Sequence, residues 1–273
     1  MKKLAVAVLA AVTLSTSFAA LADTQALVNA NNEIGIAAMG SLTNYQENVT
    51  PGPSDTESGW TPGVMAKGSY MGSVAGVRNL YSQVKLTYAT GPIAYMGAVF
   101  NPSTGAVSPY DATDRSAMYR VTGRIGKGFS LDSNLMVTPY VAAGYQHWNR
   151  HLVGPYGYTE DYSSPLFGLG VKGQYALNAS LVLGVNAEYL AVAGGRMTPN
   201  LYQGALGTAH FGTTGEEVLG VDADYRLLQH VHLFGGVGYT HYNYTGGLLR
   251  HGYYEPSSAT NLFEADAGVA YAF

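Results

Sequence analysis

The sequence contains no cysteine among its 273 residues. A chain without cysteine cannot form a disulfide framework and offers no thiolate ligand to a metal. Charged residues are also scarce, at 12%, and the formal net charge is −4. Such a chain has no basic patch for nucleic acid or for an anionic lipid surface. We therefore expect no nucleic-acid partner and no thiolate metal site.

Long apolar runs are missing after the N-terminal segment. That segment carries two lysines, a short apolar core and a small-residue A-x-A site ending at Ala22, the pattern of a secretory signal peptide. We predict a signal peptide over 1–22 and a single mature domain over 23–273. The alternative, a membrane-anchoring helix, is disfavoured because the apolar core is shorter than the ~20 residues of a helical span. If the mature domain lies in a membrane, a closed barrel is the structure that remains.

Glycine and tyrosine are abundant instead, with 35 and 22 residues, a composition that suits β-structure with short turns. The clearest pattern is the final stretch, where every second residue from Phe263 to Phe273 is apolar or aromatic. Period two predicts a β-strand with one apolar face. Its length of about eleven residues matches the ~9–11 residues of a tilted strand that crosses a bilayer.

This terminal strand resembles the assembly signal of Gram-negative outer-membrane β-barrels. The mature chain resembles the small barrels of the OmpA/OmpX and opacity-protein kind. The resemblance implies insertion by the barrel assembly machinery, contact with outer-membrane lipid and lipopolysaccharide, and a role in surface interaction, envelope integrity or limited permeation. It implies no shared catalytic residue. The expected assembly-signal residues are Phe263, Val269, Tyr271 and Phe273.

Ten strand-length segments can be recognised along the chain. Their predicted ranges are 33–45, 61–72, 80–90, 115–129, 135–149, 162–176, 181–192, 215–228, 231–244 and 261–273. Five long connections alternate with four tight turns, which is typical of outer-membrane barrels and not of a soluble β-sandwich. We predict an all-β fold: a closed antiparallel up-and-down transmembrane β-barrel of about ten strands. The number becomes eight or twelve if the first hairpin or residues 91–114 are misassigned. An even number places both termini in the periplasm of a bacterial outer-membrane protein.

Aromatic residues support this prediction because they fall near both ends of the outward faces. Those near the tight turns are Tyr70, Phe129, Tyr175, Tyr225 and Phe273, and those near the long loops are Tyr88, Tyr119, Tyr145, Tyr189, Tyr239 and Phe263. The ten residues from Phe263 to Phe273 span ~33 Å, or about 25 Å after strand tilt. This is the height of the apolar band between two aromatic girdles.

The inward faces collect the charges. The predicted lumen residues are Glu33, Lys67, Lys85, Arg120, Arg124, Lys172, Glu188, Asp222, Asp224, Arg226, Glu264 and Asp266. Basic residues fall mainly on strands two to six and acidic residues on the others, so the two groups face each other, with Glu264 and Asp266 opposite Lys85, Arg120 and Arg124. We interpret them as a salt-bridge network that fills the interior. The alternative is the lining of a small pore, since ten strands lie between packed and open barrels.

The acidic and histidine residues invite comparison with three kinds of site chemistry. The pair Asp222 and Asp224 has the spacing of two carboxylates on one face, as in omptin-type proteases, but it lies deep in the strand and no Asp-x-His accompanies it. A lipid A deacylase needs a histidine with a nearby serine, whereas Tyr242 and Asn243 follow His241. The pairs His147/His151 and His230/His232 are expected to be surface or interfacial residues. We therefore expect no catalytic residue, no cofactor and no metal.

These observations favour a non-enzymatic outer-membrane barrel whose loops contact an unidentified extracellular ligand or support envelope integrity. A narrow porin-like channel for small polar solutes is the main alternative, and a barrel hydrolase is a remote one.

Overall fold

The computed structural model describes residues 24–49, 54–101 and 103–273. The predicted signal peptide and its cleavage site lie outside the described residues. Within these ranges, no helix has the length and apolarity needed to cross a membrane.

The fold is a closed barrel of ten antiparallel strands. The strands are β1 Glu33–Asn48, β2 Thr56–Val74, β3 Val77–Phe100, β4 Val107–Lys127, β5 Leu135–Val153, β6 Thr159–Asn178, β7 Leu181–Val192, β8 Thr214–Leu228, β9 Val231–Tyr244 and β10 Ser257–Ala272. Each strand pairs with its neighbours in chain order. The predicted fold class and strand number are confirmed.

The barrel closes where β10 pairs with β1. The register runs from Glu33 opposite Ala272 to Asn48 opposite Ser257, so the two chain-terminal strands leave no free edge between them. A free edge would present unpaired backbone groups, which a lipid environment cannot satisfy. The predicted closure of the barrel is confirmed.

Short elements accompany the barrel. They are helix α1 Thr24–Asn29, the strand pieces Phe129–Ser130, Arg196–Pro199, Ala209–His210, Gly247–Leu248 and Tyr254–Glu255, and the 3-10 turns Leu201–Gly204 and Arg250–Gly252. We call the end with the connections β2–β3, β4–β5, β6–β7 and β8–β9 the turn end, and the opposite end the loop end.

The strands extend further at the loop end than predicted. Residues 91–114 are a long loop in the sequence-based assignment, but β3 and β4 continue as a paired hairpin up to Phe100 opposite Val107. Pro92 and Pro109 lie within this ladder, opposite Arg115 and Ala98. A proline removes one backbone donor, and the remaining pairs keep this hairpin together.

The outer face carries an apolar belt bounded by aromatic residues. Exposed belt residues include Ile34, Ile36, Val64, Val84, Leu86, Ile125, Val141, Leu169, Val185, Leu219, Val221, Val237 and Val269. Tyr70, Phe129, Tyr175, Tyr225 and Phe273 are exposed at the turn end, and Trp60, Tyr88, Tyr119, Tyr189 and Phe263 towards the loop end. An apolar belt between two aromatic girdles is the surface of a transmembrane barrel. The architecture is that of a small outer-membrane β-barrel.

Candidate functional site: a barrel interior closed at both ends

The twelve predicted lumen residues lie on the inward-facing rows of their strands, and each is buried or half-buried. Seven of them line a central cavity of about 150 Å³: Lys67, Lys85, Arg124, Lys172, Asp222, Glu264 and Asp266. Three basic residues among the twelve, Lys67, Arg120 and Arg124, form direct ion pairs with carboxylates on other strands. Charged groups on this face avoid the penalty that they would meet in lipid.

Two arginines of β4 reach carboxylates on distant strands. The Arg120 guanidinium pairs with Glu216 of β8, and the Arg124 Nη2 atom lies 2.5 Å from the Glu188 Oε1 atom of β7. Glu216 and Glu188 therefore make the direct contacts with these arginines, whereas Glu264 and Asp266, which were expected to face them, line the central cavity. Glu216 was missed, although it shares the alternating row of Asp222 and Asp224.

At the turn end, helix α1 and the two asparagines after it fill the barrel opening. Leu27 is fully buried and Ala26 is 9% exposed. The Asn31 side chain donates to the Gln174 Oε1 atom of β6 at 2.8 Å. Asn32 makes two 2.8 Å hydrogen bonds to the backbone of Met71. The helix is thus fixed to both sides of the interior, and this closure was not predicted from the sequence.

At the loop end, a layer of aromatic side chains fills the interior. Tyr162 stacks on Tyr244 with ring centroids 5.7 Å apart, and Trp148 meets Tyr45 edge-on at 5.1 Å. Phe211 belongs to the β7–β8 connection, yet it is 6% exposed and packs on Tyr244 at 5.0 Å. The connection therefore folds into the barrel opening and helps to close it.

Arg150 lies at the centre of this closure and is 3% exposed. Its guanidinium donates to Glu57 Oε1 at 2.5 Å and to Glu160 Oε2 at 2.6 Å. It also lies 3.5 Å from Glu47 Oε1 and 4.4 Å from the Tyr45 ring centre. One buried cation therefore holds three glutamates from three strands, an arrangement in which charge pairing and hydrogen bonding offset desolvation.

Carboxyl groups outnumber cations in this closure. The Tyr162 hydroxyl also donates to Glu255 Oε1 at 2.5 Å, and Asp114 is fully buried nearby. These groups lie beyond the loop-end girdle. Burial raises the pKa of Glu47 to about 8, although Arg150 opposes the shift. Burial and the neighbouring Glu57 raise the pKa of Asp114 to about 7, again against Arg150. A raised pKa lets the surplus carboxyls remain protonated near neutral pH.

Arg150 and Glu160 were missed because they lie between the predicted strands 135–149 and 162–176. Glu47 and Glu57 were missed because they lie between the predicted strands 33–45 and 61–72. The alternation does continue through Trp148, Arg150 and Leu152, which are all buried. A single arginine on that row, level with Glu160 across the β5–β6 pair, was the available signal. The loop-like composition of the surrounding residues obscured this signal.

The histidines divide between two environments. His147 stacks on the outward Tyr119 ring at 4.9 Å, and His241 contacts the Asn261 side chain at 3.0 Å. His232, in contrast, is 2% exposed and lies against Asp224 inside the barrel. Its expected surface or interfacial position is wrong, because it lies on the inward row of β9.

The remaining predicted residues occupy separate places. Phe263, Val269, Tyr271 and Phe273 all point outwards, with 45% to 59% of each exposed. Asp222 lines the central cavity, whereas Asp224 contacts His232. The assignment of the four outward residues as an assembly signal stays a prediction, as does the absence of catalytic residues.

The loop end also presents exposed tyrosines. Tyr202 and Tyr253 join hydroxyl to hydroxyl at 2.9 Å, and Tyr202 is 65% exposed. Tyr156 is 57% exposed and meets the Tyr110 ring edge-on at 5.4 Å. Rigid aromatic side chains held at a surface are suited to contact with other macromolecules.

No family model and no curated protein sequence matches the chain. Solved structures of similar fold include the P. putida toluene transporter TodX, at 12% identity over 95% of both chains with a TM-score of 0.33. Ail, the attachment invasion locus protein of Yersinia pestis, matches at 10% identity over 89% of this chain and 99% of that one, with a TM-score of 0.35. Neisserial surface protein A matches at 13% identity over 88% and 97%, with a TM-score of 0.34.

Proposed function

We propose that this chain is a non-conducting, non-enzymatic protein of the bacterial outer membrane whose loop end faces outwards and contacts molecules outside the cell. The observation that carries the proposal is the double closure of the interior. Helix α1 fills the turn end, and the Arg150 layer fills the loop end. In a barrel with a filled interior, the surfaces available for interaction are the outer face and the loop end.

The alternative of a narrow channel draws on one observation, the central cavity with its charged lining. Conduction through that cavity requires both closures to open. At the loop end, this means separating Arg150 from Glu57 and Glu160 within a buried layer. Removing one partner from a buried ion pair costs about 3–5 kcal/mol, so an open state of this kind is rare at equilibrium.

The proposed surroundings follow from the outer face. The apolar belt contacts outer-membrane lipid, and the loop-end girdle lies beside lipopolysaccharide. Insertion depends on the barrel assembly machinery, and the turn end, with helix α1 and Phe273, faces the periplasm.

Planar-bilayer recording tests the closed interior. We expect no discrete current steps from the refolded protein. Stable steps that change in size when Asp222→Asn or Lys85→Gln alters the cavity charge would replace the proposal with the channel function.

Adherence of cells that display the protein tests the surface role. The variant Tyr202→Ser/Tyr253→Ser removes the exposed pair, and Ala205→Ser is a control on the same connection. We expect at least a threefold loss of adherence to host cells or matrix-coated surfaces for the double variant at equal surface amount. Equal adherence of both variants would contradict a role for this tyrosine pair.

A further inference from the structure

Three buried side chains meet inside the barrel towards the turn end. Glu33 begins β1, Asp224 lies on β8 and His232 on β9, and they are 1%, 6% and 2% exposed. One nitrogen or oxygen atom from each residue lies within 4.8 Å of the atoms from the other two. The intervening strand β10 contributes Ala270 opposite His232. Its methyl group is too short to separate β1 from β9, and this allows the three side chains to converge.

The distances within the group suit a common ligand. The His232 Nδ1 atom lies 2.7 Å from Asp224 Oδ1 and 3.7 Å from Glu33 Oε2. Two ligand atoms bound at ~2.1 Å to a tetrahedral ion are about 3.4 Å apart. The separation from Glu33 is close to this value. The separation from Asp224 is shorter and needs to open by less than about 1 Å.

Each residue also has a buried polar atom without a partner among the described residues. These atoms are Glu33 Oε2, Asp224 Oδ2 and His232 Nε2. Buried polar atoms are normally paired, and an unpaired one costs about 1–3 kcal/mol. His232 Nε2 lies on the side of the ring away from Nδ1, so the indication of a missing partner within the group rests on the two carboxylate oxygens, which call for a cation.

Lys67 does not supply that partner. Its Nζ atom lies 2.6 Å from the other oxygen of Glu33, Oε1, and 3.6 Å from the centre of the Phe234 ring. The lysine therefore fixes the Glu33 carboxylate and leaves its Oε2 atom directed towards His232. Groups that hold a metal ligand in this way are a regular part of metal sites.

We propose that Glu33, Asp224 and His232 form a binding site for a divalent transition-metal ion, with Zn²⁺ as the best fit. An imidazole with two carboxylates is a donor set that zinc accepts. A nitrogen ligand disfavours Ca²⁺ and Mg²⁺, which take oxygen ligands. The proposal does not depend on the proposed surface function.

A bound ion has a structural consequence. Glu33 directly follows Asn31 and Asn32, which fix helix α1 in the opening. An ion held by Glu33 links this end of β1 to β8 and β9 on the other side of β10. The site thereby stabilises the closure at the turn end.

Metal binding by the folded barrel tests the proposal. The full mature protein is refolded in detergent after chelator treatment and titrated with Co²⁺ under visible absorbance and with Zn²⁺ by competition. We expect one ion per chain, and at least tenfold weaker binding in Asp224→Asn and in His232→Asn. His230→Asn is the matched control, because His230 lies at the same turn but contacts the Ala272 carbonyl oxygen. We expect it to bind like the unaltered protein.

Circular dichroism shows whether each variant is folded, and Asp224→Asn, which is nearly isosteric, carries the test if His232→Asn does not fold. The proposal is overturned if the folded protein binds neither ion. It is equally overturned if folded Asp224→Asn binds as tightly as His230→Asn, because the ion then lies elsewhere.

Discussion

Arg124 and Glu188 join two non-neighbouring strands through two parallel hydrogen bonds across the barrel interior. The Nη2–Oε1 distance is 2.5 Å and the Nε–Oε2 distance is 3.0 Å. The Arg124 Nη1 atom also donates to Gln83 at 2.7 Å. The side chain of Glu188 is 1% exposed and that of Arg124 is 14% exposed. The pair is thus a desolvated cross-brace between β4 and β7.

Replacing Glu188 by glutamine is expected to lower the free energy of unfolding by about 3 kcal/mol, because it leaves the Arg124 cation without its countercharge in a buried site. Denaturant unfolding from lipid vesicles measures the change. Arg124→Gln/Glu188→Gln is expected to lose less than the sum of the two single variants. Glu217→Gln, an exposed carboxylate on β8, is the control and is expected to stay within about 0.5 kcal/mol. A Glu188→Gln variant as stable as this control would contradict the cross-brace.

The sequence was sufficient to predict the membrane-facing part of the fold. Within the belt, lipid requires every outward residue to be apolar, so the period-two pattern is strong and strands β7 and β9 were predicted with the bounds that the structure has. Beyond the loop-end girdle this constraint ends. There the outward residues of β3 and β4 are mixed, and the hairpin around Pro92 and Pro109 resembles a loop in sequence.

The sequence predicts which residues face the interior, but not which of them contact each other. Alternation places Arg124 and Glu188 on the inside, but which residues meet across the lumen depends on barrel curvature and strand tilt. The same limit applies to His232, whose contact with Glu33 crosses an intervening strand. Helix α1 was missed because a six-residue helix has too little sequence for a periodic signal.

The Arg150 layer makes stability depend on pH. Burial raises the pKa of Glu47 from 4.5 to about 8, so between these values the folded protein holds a proton that the unfolded chain has released. The folded state then binds more protons, and the free energy of unfolding falls as pH rises through this window. Asp114, raised to about 7, acts in the same direction. We expect the barrel to be less stable at pH 8 than at pH 5, by on the order of 4 kcal/mol.

Denaturant unfolding in detergent at pH 5, 6.5 and 8 measures this dependence. In Glu47→Gln this side chain is uncharged in both the folded and the unfolded state. The variant is therefore expected to lose less stability than the unaltered protein as the pH rises from 5 to 8. Glu217 is exposed, so Glu217→Gln is expected to retain the full dependence of stability on pH. An unfolding free energy that rises from pH 5 to pH 8, or an identical slope for Glu47→Gln, would count against protonated carboxyls in the closure.

Phe273 provides a test of assembly. Phe273 is 58% exposed on the outward row, and its backbone N–H donates to the Asn32 carbonyl oxygen at 3.1 Å. Its side chain therefore makes little contribution to the interior, while its place at the end of β10 is that of the predicted assembly signal. We expect Phe273→Asp to lower the amount of protein in the outer membrane at least fivefold, as measured by quantitative blotting of membrane fractions.

The control has to separate recognition of the terminal strand from the cost of a charge at the girdle. Phe129→Asp serves this purpose, because Phe129 lies in the same turn-end girdle with 47% exposure. A charge near the interface costs only about 0–1 kcal/mol, so Phe129→Asp is expected to reach near-normal levels. If both variants decrease equally, the girdle itself limits insertion and Phe273 has no special role. If Phe273→Asp accumulates normally, the terminal aromatic is not part of the assembly signal.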